Sequence, residues 1–144
     1  MSRREEPSER VDEYARVVID AAISVHRELG PGYAESIYEE ALAMELADRH
    51  VPFARQVRVG IEYKRRPVGE TRLDLLVGGV LIVELKAIER LAPIHVAEAV
   101  SYLKATKLHL ALLLNFDVTR LKDGGIRRVI RSIEGEWRAM NSDT

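Results

Sequence analysis

Seven residues late in the chain, Leu108-His109-Leu110-Ala111-Leu112-Leu113-Leu114, are almost wholly apolar. The run is far shorter than the roughly 18 residues a membrane span needs, and it lacks the alternation of a half-exposed strand. It reads as a β-strand covered on both faces. The rest of the chain has the apolar material to cover it: 47% of the 144 residues are hydrophobic and 31% charged, as in an ordinary soluble globular protein of one domain. We expect a loose charged segment over residues 1–10, a single domain over 11–134 and a tail over 135–144.

The hydrophobic period changes along the chain. From Val11 to Leu29 apolar residues recur at helical spacing, and Gly30-Pro31-Gly32 stops the pattern. A second helix runs from Ala34 to about Arg49 with Ile37, Ala41, Met44 and Ala47 on one side, closed by Pro52. Strands follow near Arg55 to Tyr63, Thr71 to Val77 and Val80 to Lys86, with turns at Arg65 to Gly69 and at Gly78-Gly79. Pro93 opens a third helix to about Thr106. After the apolar strand, the turn Lys122-Asp123-Gly124-Gly125 leads to a last strand, Ile126 to Ile130.

The start of the chain has no apolar signal-peptide core, so a cytoplasmic location is the default expectation. Without cysteine there is no disulfide, thiolate zinc site or cysteine nucleophile. Any metal must sit on oxygen or imidazole. The net charge of -1 argues against a protein that holds nucleic acid by bulk electrostatics. It leaves room for a local basic groove from Lys64, Arg65, Arg66, Arg58 and Arg72, although Pro67 also suits the first three to a solvated turn.

Leu81-Ile82-Val83-Glu84-Leu85-Lys86 is the most informative segment, because Glu84 and Lys86, two apart on a strand, project from one face. Charges in an apolar strand are costly unless paired or metal-bound, and Asp74 within Leu73-Asp74-Leu75-Leu76-Val77 poses the same problem. Buried Asp–Lys or Glu–Lys pairs meet that demand as well as a metal does.

An Asp, a spacer of some ten residues and Glu-x-Lys on adjacent strands resemble the PD-(D/E)xK nuclease signature. Gly32-Tyr33-Ala34-Glu35-Ser36-Ile37-Tyr38 resembles the naming motif of the GxxExxY family within that superfamily. The likeness extends through Pro93-Ile94-His95, Tyr102-Leu103-Lys104 and Asn115-Phe116, over about residues 15 to 130. It implies an α/β fold with a restriction-endonuclease-like core, a mixed central β-sheet flanked by α-helices. It also implies a metal-dependent phosphodiesterase acting on DNA, with Asp74, Glu84 and Glu35 around Mg2+ (or Mn2+) and Lys86 beside them. The other reading is a non-catalytic module that keeps the scaffold to bind nucleic acid or a protein partner. A homo-oligomer is left open, and no membrane partner is expected.

Further residues are candidates for the substrate side: Arg72, His26, His95, Glu98 and Tyr102. His26 flanks the apolar stripe of the first helix, where a structural histidine is the commoner case. His95 lies in the first turn of the third helix, within reach of a phosphate or of a capping role. Glu98 and Tyr102 share a helix face where related nucleases often carry Gln and Tyr. An ionised carboxylate in place of that amide cannot donate a hydrogen bond and adds negative charge to a site that must accept an anion. No helix-turn-helix or zinc module can be assembled from these residues.

The turn at Gly78-Gly79 carries a geometric condition. A two-residue hairpin would oppose Asp74 to Val83, leaving Asp74 and Glu84 on opposite faces. A three-residue loop Gly78-Gly79-Val80 would oppose Asp74 to Glu84, as the metal reading requires.

Overall fold

The structure is a computed structural model that describes residues 9–131 and the backbone of 137–141. The expected loose segment 1–10 therefore lies almost wholly outside the described residues.

Helices α1 (Glu9–Leu29) and α2 (Glu35–Asp48) precede strands β1 (Phe53–Tyr63), β2 (Arg66–Val77) and β3 (Leu81–Lys86). Helix α3 (Pro93–Thr106), β4 (Leu110–Asn115), β5 (Ile126–Arg131) and β6 (Trp137–Asn141) complete the order. The strands form one mixed sheet in sequence order. All neighbours are antiparallel except β3 and β4, whose parallel pairing is allowed by the crossover through α3. The sixth strand pairs with β5 inside the stretch read from sequence as a tail.

Strand β4 is buried along its whole length. Leu110, Leu112 and Leu114 pack against the α1 and α2 layer, and Ala111 and Leu113 against the α3 layer. The run expected to be covered on both faces is so covered, from Leu110 onward. Among the described residues no helix is long and apolar enough to cross a membrane.

Two expectations need correction. In α2 the buried residues are Tyr38, Glu39, Leu42, Ala43 and Leu46, whereas Ile37 and Met44 are 46% and 63% exposed. Apolar residues occur on nearly every side of this helix, so its period has no single phase. The choice of face is made by packing, chiefly the stacking of Tyr38 on Phe116 with ring centroids 4.6 Å apart. The first hairpin is also longer than expected: the turn is Lys64-Arg65, with Tyr63 paired to Arg66. Pro67 lies in β2 beside a register shift at Ile61 and Glu62, where a missing N–H is tolerated.

The loop between β2 and β3 is the three-residue one. Val77 pairs with Leu81, Leu76 with Ile82 and Leu75 with Val83, which carries Asp74 to the position facing Glu84. Gly78 (φ 60°) needs to be glycine twice over, for its left-handed backbone and because a Cβ would fall 2.3 Å from the Tyr14 ring.

Candidate functional site

Regular strand alternation breaks down in the middle of the β1–β2 hairpin. Phe53, Leu75 and Val77 pack toward α1 and α2, yet Val57, Val59 and Leu73 pack toward α3. The reversal falls between the pairs Arg55–Leu75 and Val57–Leu73, at Gln56, whose φ is 50°, and at Asp74. Pairing of β2 with β3 also ends here.

In place of ladder bonds, the two carboxylates bridge the strands. The Asp74 N–H donates to Glu84 Oε2 at 2.8 Å, and the Leu85 N–H donates to Asp74 Oδ2 at 2.9 Å. The two acids are held side by side by main-chain donors. Glu84 and Lys86 alternate with Val83 and Leu85, which pack on the α1 and α2 layer, so both point to the α3 side. There Lys86 Nζ lies 3.5 Å from Glu98 Oε1. Among the described residues the carboxylate within ion-pair distance of Lys86 is that of Glu98, on α3, while Asp74 and Glu84 feel the lysine's charge from farther away.

Helix α2 adds acids from the other layer. Glu39, buried, accepts from Arg55 at 3.2 and 3.0 Å and from Gln56 at 2.9 Å. Glu35 stands at the helix start, where a negative charge is favoured. The turn before it is fastened by the Tyr38 hydroxyl, which donates to the Gly30 carbonyl at 2.5 Å and accepts from the Tyr33 N–H at 3.1 Å. Gly32 (φ 108°) takes a backbone conformation that favours glycine. Thus the segment Gly32 to Tyr38 builds a pinned turn with an acid at its exit.

Electrostatically the acids strain against one another. Burial, then the charge of Asp74, push the Glu84 carboxyl up to about 8, against the pull of the Asp74 amide and Lys86. Asp74 is raised by burial and by Glu39, and held down by the Leu85 amide, Lys86 and Gln56. Glu35 is raised by burial and by Asp74 and Glu39, with Lys86 opposing. Carboxyls that repel each other at the end of a buried strand raise one another's pKa and mark a candidate functional site. Among the described residues, however, no three Asp, Glu or His side chains are grouped closely enough to enclose a metal, so the expected trio of Asp74, Glu84 and Glu35 is not drawn together as a closed set.

The remaining candidates divide. His26 is buried, and its Nε2 lies 3.1 Å from the Phe116 carbonyl and 2.8 Å from that of Val118. This ring nitrogen fastens α1 to the chain after β4. His95 caps α3, its Nδ1 accepting from the Ala92 N–H at 2.8 Å. Tyr102 is half-buried against the α3-side core, and Arg72 is exposed on β2.

The roles of two residues were not legible in the sequence. Glu39 was one acid among many on α2, and only its partners Arg55 and Gln56 mark it out. Asn115, fully buried, clamps the chain beyond Lys86 by accepting from the Ile88 N–H at 3.1 Å and donating to the Ile88 carbonyl at 2.9 Å. A buried amide at a strand end is the signal that could have found it.

A family model described as the PD-(D/E)XK nuclease superfamily matches residues 12–129. No curated protein and no solved structure matches.

Proposed function

The chain belongs to the PD-(D/E)XK nuclease superfamily, and from that premise we propose that it is a divalent-metal-dependent nuclease that cleaves DNA in the cytoplasm, in the GxxExxY branch. The observation that carries the reading is the cross-strand pair of Asp74 and Glu84, with Lys86 on the face of Glu84 at the same strand end.

The donor set suits magnesium or manganese. Both are hard ions that accept carboxylate oxygen, and magnesium needs only one or two carboxylates when water and substrate phosphate complete its shell. Asp74 and Glu84 would hold it, with Glu35 contributing charge from α2. When bound, such an ion lowers the pKa of a water and offsets phosphate charge. Glu84 would hold the ion in its ionised form, without the proton that burial favours. Lys86 is placed to orient the attacking water or to stabilise charge as it develops on the phosphate, once a substrate oxyanion displaces Glu98 from its ammonium. The Asn115 clamp on Ile88 keeps the backbone after Lys86 fixed, and the pinned turn at Gly30 to Tyr33 does the same for Glu35.

The branch assignment rests on Gly32, Glu35 and Tyr38. A non-catalytic module is the second reading, favoured by the Lys86–Glu98 pair and the open ligand set. Calorimetric metal titration together with DNA cleavage in magnesium or manganese separates the two. The nuclease reading expects saturable binding and cleavage in the parent. Asp74→Ala and Glu84→Ala should lose both. Lys86→Ala should keep the metal, since it removes a like charge, and lose about 10² to 10³ in rate. A folded parent that binds no metal and cuts no DNA would hand the site to the second reading.

A further inference from the structure

Among the described residues, the outer part of the β1–β2 hairpin has no third strand beside it. β3 pairs only with Leu75, Leu76 and Val77, so β1 and β2 continue past Asp74 as a two-stranded ribbon. Its base rests on α3 through Val57 and Val59, and residues 62–70 are all exposed. Five basic residues between Arg58 and Arg72, against Glu62 and Glu70, leave a charge of +3 on a chain whose total is -1.

Little internal pairing holds these cations, the Lys64 ammonium lying over the exposed Tyr63 ring at 5.4 Å from its centroid. Among the described residues no carboxylate ion-pairs with Lys64, Arg65, Arg66 or Arg72, and the exposed Arg58–Glu70 contact at 3.9 Å is weak. Arg58 and Arg72 oppose each other directly and so stand side by side on one face, an unfavourable pairing unless an anion lies across it. The turn is odd in the same sense. Lys64 (φ 51°) and Arg65 (φ 64°) both take the left-handed conformation, where Asn-Gly is the favoured pair. Two cations occupy positions whose backbone favours other residues, as happens where function sets the choice.

We infer that this ribbon is a duplex-DNA-binding arm, seated in the major groove beside the cut site with its cations on the phosphates. The inference rests on the nuclease reading for its orientation, since Arg72 is two residues from Asp74. A two-stranded ribbon fits the major groove of B-form DNA, whereas the A-form groove of duplex RNA is too narrow for side chains to enter. The eight steps from Asp74 to Arg66 span roughly 26 Å at about 3.3 Å each. That reach covers about eight base pairs at 3.4 Å per pair.

The test replaces the turn by the pair it favours, Lys64→Asn with Arg65→Gly, and separately makes Arg66→Gln in case the turn change alters the hairpin. Binding to labelled duplex DNA and duplex RNA is followed by anisotropy in chelator over a salt series, alongside melting of each protein and cleavage by each. The turn variant should melt no lower than the parent. Its DNA affinity should fall about tenfold, and the slope of log affinity against log salt should become shallower by about two. Arg66→Gln should move the slope by about one, and duplex RNA should respond less than DNA. Unchanged DNA binding and slope in variants whose parent binds and cuts DNA would overturn the arm alone, as would an equal loss on RNA. A parent that neither binds nor cuts DNA would sink the arm and the nuclease reading together.

Discussion

Lys86 meets Glu98 at 3.5 Å, with the lysine largely covered and the glutamate 44% exposed. On the nuclease reading, this carboxylate competes with the substrate phosphate for the ammonium. Glu98→Gln should free Lys86 while leaving the helix intact, because only the charge changes. A partly exposed pair is worth at most about 1 kcal/mol, so the expected gain in DNA affinity is a few-fold, about fivefold at most. Anisotropy on parent and variant under identical salt measures it, and equal affinities would make Glu98 a surface residue with no part in the site. His26 belongs to this scale as well: it flanks the apolar stripe of α1, where a structural histidine is the commoner case, and its ring nitrogen meets two main-chain carbonyls.

Between α1 and α2 the chain turns through Gly30 to Tyr33, and the Tyr38 hydroxyl ties that turn at both ends. Tyr38→Phe keeps the stacking on Phe116 and removes only the oxygen. Leaving the Gly30 carbonyl and the Tyr33 N–H without it should cost about 1–2 kcal/mol of stability. Because the turn positions Glu35, metal affinity should fall as well, with the same stoichiometry. Thermal melting and calorimetry on one preparation check both effects, and an unchanged melting temperature would show that other contacts hold the turn. The β2–β3 loop acts at the same scale. Gly78→Ala brings a Cβ onto the Tyr14 ring and a side chain into left-handed backbone, and should destabilise by about 2–4 kcal/mol.

For the whole molecule the acids tie stability to pH. A carboxyl raised to about 8 in the fold holds its proton more tightly there than when unfolded. Its contribution to stability is fully present below the ordinary glutamate value and is lost as pH rises through about 8. The metal-free protein should therefore become less stable between about pH 5 and 8 on this account, and Glu84→Gln should flatten that slope. Metal binding works in the opposite direction, since the ligand must be ionised. Stabilisation by magnesium should be small at the acid end and grow toward pH 8, with a proton released per ion that calorimetry in two buffers will detect. A metal-free protein whose stability rises over this range, with the same rise in Glu84→Gln, would show that Glu84 is already ionised in the fold.

Much of this was legible in the residues. The apolar run at Leu110 to Leu114 specified a strand covered on both faces, the helical period of α1 specified its length, and Glu84 and Lys86 shared a face because strand side chains alternate. The need for a three-residue loop could be stated in advance, but not its presence, since glycines permit either turn and tertiary packing, with Gly78 against the Tyr14 ring, selects one. The buried face of α2 was illegible for a related reason: with apolar residues all round, the helix is oriented by what it meets, Phe116 and α1. Local periodicity speaks for single elements. The meeting of Asp74, Glu84, Lys86 and Glu98 depends on strands and a helix far apart in sequence, and on a break in alternation at Gln56 that no period announces. Those were decided only when the sheet and its two layers closed around each other.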